Sequence, residues 1–185
     1  MPGAGIIRWY RLAIRGRFFS TGRWLNHNLG PRWVGFDFEK AFGCPVKVIN
    51  DAAMQALGSY QGGKMLFLGL GTGLGSTMIV DGMVEPMELG HLPYKKGTYE
   101  DYLGIRGLER LGKKKWRQYV AIVVDFLIAA LEPDDVVLGG GNVKKLKELP
   151  AGCRAGDNAN AFEGGFRLWV EEAPRPKTEN RRRKS

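Results

Sequence analysis

Cysteine is nearly absent: Cys44 and Cys153 are the only two in 185 residues, and they lie far apart. Two distant thiols suggest neither a disulfide framework nor a metal cluster, and they fit a reducing cytoplasm. No apolar run approaches the roughly 18 residues of a membrane span. No self-similarity of solenoid period is present. The N-terminal stretch lacks the long apolar core of a secretory signal, although its Arg-rich composition is also that of a transit peptide. It also lacks any helix-turn-helix pattern. Acidic residues are missing from residues 1–35, which hold six Arg. Residues 175–185 hold six Lys or Arg and one Glu. Those ends carry +6 and +5 of the net +9, which leaves −2 for residues 36–174. The middle is therefore nearly neutral. The basic character sits in two ends that bind polyanions only non-specifically, and no specific nucleic-acid partner is expected.

At 44% hydrophobic residues, the chain can bury one real core, or one core and part of another. "GFDFEKAFG" (Gly35–Gly43) reads as a short helix, "CPVKVI" as a strand and "DAAMQALGSY" as a helix. "KMLFLGLG" is an apolar run of strand length, as expected for a strand covered on both faces. "STMIV" and "MVEP" flank Asp81-Gly82, a strong hairpin signal. Residues 86–110 read as irregular. Lys114–Pro133 reads as a long buried helix stopped by proline, "DVVLGGG" as a buried strand, and "NVKKLKEL" as the start of a short helix. Asp157 to Trp169 reads as a last helix, whose Gly-Gly pair marks a break or a close packing. Strands alternating with helices, with one hairpin inserted, predict an α/β fold with a mixed sheet.

Several short stretches carry possible chemistry. In "KVINDAAMQALGSY" an apolar run ends on Asn50-Asp51 and a helix follows. Asp51 is either a helix N-cap or a general base at the carboxyl end of a strand, where α/β proteins place ligands. "GLGTGLGS" (Gly69–Ser76) offers Gly71, Thr72, Gly73 and Gly75, a turn that can aim backbone N–H groups at a phosphate or simply form a hairpin corner. It has no Lys-Ser/Thr pair for a Walker loop, and a hairpin rather than a helix follows it. "VVLGGGN" (Val136–Asn142) is either a surface for a flat base or ribose, or a tight strand-to-helix turn. "EPMELGHLPY" sets Glu88 and His91 at i, i+3, where both can hydrogen-bond sugar hydroxyls. No Cys cluster follows His91 to complete a metal site. "GTYEDYLG" adds Glu100, on a loop that reads equally as solvated surface. "GKKKWRQ" (Gly112–Gln118) and "KKLK" (Lys144–Lys147) can track a polyanion or be solvated helix faces.

Taken in order, "NLGPRWVGFDFEKAFGCPVKVINDA", "LGLGTGLGSTMIVDG", "ELGH", "VVLGGGN" and "GDNANAFEGGFRLW" resemble the ROK family of sugar kinases and regulators, closest to its polyphosphate-glucokinase-like branch. The resemblance spans roughly Asn28 to Trp169. It implies the two-lobed ribonuclease-H-like fold of hexokinase and actin, with phosphoryl transfer from ATP or polyphosphate, with Mg2+, to the 6-hydroxyl of a hexose, glucose first. By resemblance, Asp51 is the base and Asn50, Glu88, His91 and Glu100 hold the sugar. Gly71, Thr72, Gly73 and Gly75 take the phosphoryl group, and Gly139, Gly140 and Gly141 lie against adenosine. A homodimer is a further implied partner.

Two departures accompany the likeness. The family's zinc-binding Cys cluster is replaced by "LPYKKGTYEDYLG", so no zinc is expected. The family's opening Asp-x-Gly-Gly-Thr strand is not found. The expected organisation is a first-lobe remnant over residues 1–50, with 1–27 atypical, a nearly complete second lobe over 51–170, and a disordered basic tail over 171–185. Weak or absent catalysis by the chain alone follows from that expectation. The competing readings are a non-catalytic sugar-binding regulator and an inactive fragment.

Overall fold

The computed structural model describes residues 36–169 except 45 and 48. The expectations for residues 1–35 and for the basic tail lie outside the described residues. In chain order the elements are α1 (Phe38–Phe42), α2 (Asp51–Ser59), β1 (Lys64–Leu70), β2 (Leu74–Val80), β3 (Met83–Met87), β4 (Pro93–Tyr94), β5 (Gly97–Thr98), α3 (Tyr99–Leu103), α4 (Ile105–Leu131), β6 (Asp135–Gly139), β7 (Cys153–Ala155) and α5 (Asn160–Arg167).

Five strands form one sheet in the order β3-β2-β1-β6-β7. β1 runs antiparallel to β2 and parallel to β6, so the sheet is mixed. The unbroken apolar run of β1 has a direct physical cause: both of its faces are covered. Leu66, Leu68 and Leu70 face a core built with Trp116, Val120, Val123, Val124 and Leu127 of α4. Met65 and Phe67 face a second core built with Ala52, Ala53, Ala56 and Leu57 of α2. Alternate residues of one strand thus feed two cores, as the period of a pleated strand dictates. Asp81 and Gly82 turn the β2–β3 hairpin with φ of 49° and 83°, the positive pair that matches strand twist.

Helices pack on both faces of the sheet. α2 and α5 cross where each has a glycine. A Cβ on Gly58 would lie 1.8 Å from the Asn160 carbonyl oxygen, and one on Gly164 would lie 1.8 Å from that of Met54. Gly164 is therefore a point of close packing, and α5 runs through Gly164-Gly165 without a break. Trp116 is fully buried, and its Nε1–H donates to the Leu103 carbonyl at 2.9 Å.

Several elements differ from the sequence reading. The long helix begins at Ile105, ahead of the expected Lys114, and is interrupted at Gly112 with φ 72° and ψ 159°. Residues 86–110 are not irregular throughout. They contain a 3-10 turn at Leu89–His91, the β4–β5 ribbon, and α3 with a capping box between Thr98 and Asp101. Among the described residues of "CPVKVI" only Ile49 makes a β-bridge. The segment after Gly141 is a 3-10 turn at Val143–Lys145. β7 was not anticipated. No helix among the described residues is long and apolar enough to cross a membrane.

Candidate active site

The cap of α2 is supplied by the neighbour of Asp51. Asn50 is extended (φ −67°, ψ 146°), and its Oδ1 accepts from the amides of Ala52 and Ala53 at 2.7 and 3.1 Å. Asn50 is therefore the N-cap of α2. Asp51 is the first helical residue, its carboxylate exposed, with Oδ1 accepting from the Ala52 amide at 2.9 Å. A carboxylate held by a rigid first turn, yet open to solvent, is placed to accept a proton from a bound group.

The two glycine loops lie side by side at the carboxyl ends of β1 and β6, which are parallel neighbours. Gly71 N–H bonds the Gly73 carbonyl at 3.1 Å, which folds the first loop back on itself and leaves Thr72 exposed at its tip. The Thr72 carbonyl accepts from Ile105 N–H at 3.1 Å, anchoring the loop to the start of α4. In the second loop Gly140 has φ 87°, and a Cβ there would lie 2.5 Å from the Leu70 carbonyl oxygen. Only glycine combines that backbone with that approach. Gly139 is buried, and Gly141 is exposed. Asn142 joins the loops: its backbone N–H bonds the Leu70 carbonyl and its Nδ2 the Gly71 carbonyl, both at 3.0 Å.

The Glu88–His91 turn follows β3 at the same end of the sheet. Glu88 Oε2 and His91 Nε2 are 3.3 Å apart, and both side chains are about half exposed. The buried Ser76 fixes this turn to β2, since its hydroxyl donates to the Met87 carbonyl and accepts from Leu89 N–H, each at 3.0 Å. Glu100 sits behind it. Its Oε2 accepts from Leu74 N–H at 3.4 Å, and its Cβ lies 3.6 Å from where a Gly90 side chain would begin. That Gly90 position is also 2.7 Å from the Leu74 carbonyl, so the turn packs directly on the β1–β2 corner. Asp101, next to Glu100, is held below the ordinary carboxylate range by hydrogen bonds from the Thr98 hydroxyl and backbone.

Residues from five separated stretches thus meet at one sheet end: Asn50 and Asp51, Gly71 to Gly75, Glu88 and His91, Glu100, and Gly139 to Gly141. Ser76, Asn142 and Gln55 were not anticipated. Ser76 and Asn142 stood inside quoted motifs, but their value lies in bonds to residues far along the chain. Gln55 Oε1 is buried beside Gly139 and has no hydrogen-bond partner among the described residues. No three His, Cys, Asp or Glu side chains among the described residues gather as a metal site. Mg2+ commonly needs only one or two carboxylates beside substrate phosphates. Neither glycine loop carries a carboxylate for that ion.

No protein-family model matches the sequence, and a search of curated proteins finds no match. Solved structures do match. Inorganic polyphosphate/ATP-glucomannokinase from Arthrobacter sp. strain KM aligns with 26% identity and a TM-score of 0.63, over 76% of this chain and 64% of that one. A ROK family glucokinase from Streptomyces griseus, in complex with glucose and AMPPNP, aligns with 16% identity and a TM-score of 0.57, over 70% of each chain. A ROK family transcriptional regulator, homologous to the E. coli MLC protein, aligns with 15% identity and a TM-score of 0.53, over 70% of this chain and 54% of that one. The chain spans about two thirds of the length of the glucomannokinase. Its central mixed sheet with helices on both faces is the fold of the ROK-family sugar kinases.

Proposed function

We propose that this protein is a ROK-type sugar kinase that transfers a phosphoryl group from ATP or polyphosphate to the 6-hydroxyl of a hexose, with glucose the first candidate. The observation that carries the proposal is the convergence of five distant stretches on one sheet end, with Asp51 relieved of capping by Asn50. In this reading Asp51 takes the proton of the sugar hydroxyl. The freed oxygen bonds to the terminal phosphorus, and the donor's bridging P–O bond breaks with its electron pair leaving on the donor. Asn50, Glu88, His91 and Glu100 orient the sugar. The Gly71–Gly73 turn seats the transferred group and the Gly139–Gly141 turn the rest of the donor. Such chemistry depends chiefly on positioning and charge stabilisation.

The basic stretches bear on the donor. Arg117 Nε donates to the Lys145 carbonyl at 2.7 Å, which joins Gly112–Gln118 to Lys144–Lys147. The Val143–Lys145 turn follows Asn142 directly, so the joined basic surface continues from the Gly139–Gly141 turn. An extended polyanion fits that layout, and polyphosphate is accordingly proposed beside ATP. The similarity to the inorganic polyphosphate/ATP-glucomannokinase supports this reading. Action in the cytoplasm is part of the same proposal.

The test is sugar-phosphate formation from glucose with ATP or polyphosphate, comparing the native chain with Asp51→Asn. Removal of a general base should lower kcat by roughly 10²–10⁴-fold. The melting temperature should hold, because Asn50 keeps the cap. Undiminished turnover by Asp51→Asn would refute the assigned base. Glucose binding without turnover in the native chain would instead assign a sugar-responsive module, the alternative suggested by the regulator of shared fold.

A further inference from the structure

Three glycines stand abreast in the sheet: Gly75 of β2, Gly69 of β1 and Gly139 of β6 are register partners. The first turns of α2 rest on this row. A Cβ on Gly75 would lie 3.0 Å from the Cβ of Ala52. A Cβ on Gly139 would lie 2.4 Å from the Phe67 ring and 3.2 Å from Gln55 Oε1. Ala52 and Gln55 lie three residues apart, on neighbouring turns of one helix face. The missing side chains therefore form a trough into which the start of α2 settles.

Ala52 is the residue that contacts Gly75, and it is also bound to both members of the candidate pair. Its N–H bonds Asn50 Oδ1 at 2.7 Å and Asp51 Oδ1 at 2.9 Å. Whatever moves Ala52 moves the carboxylate next to it. Ala52 and Ala53 are buried, so a larger group on the sheet side can be accommodated only by displacing the helix. Gly75 itself lies within β2, paired with Gly69, whereas the tip of the loop is at Thr72.

Given Asp51 as the base proposed above, we infer that Gly75 is a positioning residue: it sets the depth of α2, and hence the place of Asp51, rather than holding phosphate. Carbon atoms in contact prefer about 3.5–4.0 Å. A methyl on Gly75 at 3.0 Å therefore displaces the first turn by several tenths of an ångström, and removal of the Ala52 methyl undoes the displacement.

The experiment compares the native chain, Gly75→Ala, Ala52→Gly and the double variant. Ala52→Gly alone controls for lost helix propensity. The readouts are hydrogen exchange at the Ala53 amide, kcat, and the KM for glucose and for the donor. Gly75→Ala should speed exchange at Ala53 and lower kcat roughly ten-fold, since small misplacements of reacting groups are costly. The donor KM should stay unchanged. Adding Ala52→Gly should restore both exchange and kcat. A raised donor KM that Ala52→Gly does not relieve would overturn the inference and make Gly75 a phosphate contact. If the native chain shows no turnover, the kinase reading fails, and exchange alone then decides the seat. Unaltered Ala53 exchange in Gly75→Ala would overturn it.

Discussion

Among the described residues, Asn142 is the one side chain that hydrogen-bonds across the two glycine loops, and removing it tests whether they form a single unit. It is 7% exposed, and its Nδ2 reaches the Gly71 carbonyl at 3.0 Å. Asn142→Ala deletes that donor. A typical hydrogen bond contributes about 0.5–1.5 kcal/mol, and a buried partner left unpaired costs about 1–3 kcal/mol. Gly71 is only half-buried, so water offsets part of the loss, and about 1–2 kcal/mol is expected. For a chain of this size that lowers Tm by roughly 2–8 °C. Calorimetry of both proteins under one condition measures it. Asn142→Asp sharpens the test. A carboxylate has no hydrogen to donate and would face the Gly71 carbonyl, so at neutral pH this variant should melt below Asn142→Ala. Desolvation and the facing carbonyl raise the pKa of the new acid. Its deficit is therefore present above that value and shrinks as pH falls through it, when the protonated acid regains a donor. The loosened Gly71–Gly73 loop should also raise the donor KM more than the sugar KM. An Asn142→Ala melt within about 1 °C of native, or an Asn142→Asp melt equal to native at pH 7, would refute the reasoning.

Three further outcomes follow from local bonds. Asn50→Ala removes the acceptor of two helix amides and should cost about 1 kcal/mol, seen as a lower urea midpoint. Asp101 sits below its ordinary pKa of 3.8 because the Thr98 hydroxyl and amide bind its carboxylate. The stability it contributes is present above that value and lost as pH falls through the lower folded one. The native chain should thus lose its advantage over Asp101→Asn only below about pH 4, in melts at stepped pH. Equal pH dependence of the two proteins would remove the capping-box explanation. Burial, followed by Asp125 and Asp135, pushes the Cys153 thiol up to about 11. At pH 8 iodoacetamide should modify the exposed Cys44 and spare Cys153 until the chain unfolds, as mass spectrometry of the native and denatured protein will show.

What could be read from the sequence depended on where each element's partners lie. β1 was legible because burial on both faces writes itself as an unbroken apolar run. The hairpin was legible because Asp81-Gly82 carries its own backbone preference. β7 has neither aid. Its residues are partly or fully exposed and show no period, and it is held by the parallel ladder to β6 and by Arg154 gripping Asp135 at 2.7 Å. That grip also reaches the Ser59 carbonyl at 2.6 Å, an interaction between residues 95 positions apart that no local pattern announces. α3 did carry a local sign, the Thr98-x-x-Asp101 box, but five residues are too few to display an apolar stripe.

The candidate site shows the same limit at the scale of one peptide unit. Asn and Asp cap helices about equally well, so "ND" before "AAMQAL" leaves the N-cap undecided. The structure decides it through backbone geometry: Asn50 is extended and takes two amides, and Asp51 falls one residue inside the helix. The cap and the projecting carboxylate, which compete when assigned to one residue, are compatible when divided between two. The division also has a mechanical consequence. The cap fixes the first turn, the first turn rests on Gly75, and the carboxylate it carries stays open to whatever the loops bind. A carboxylate that had to cap its own helix would be held by two amides. Asp51 accepts from one, at 2.9 Å, and its side chain remains exposed, as the proposed base requires.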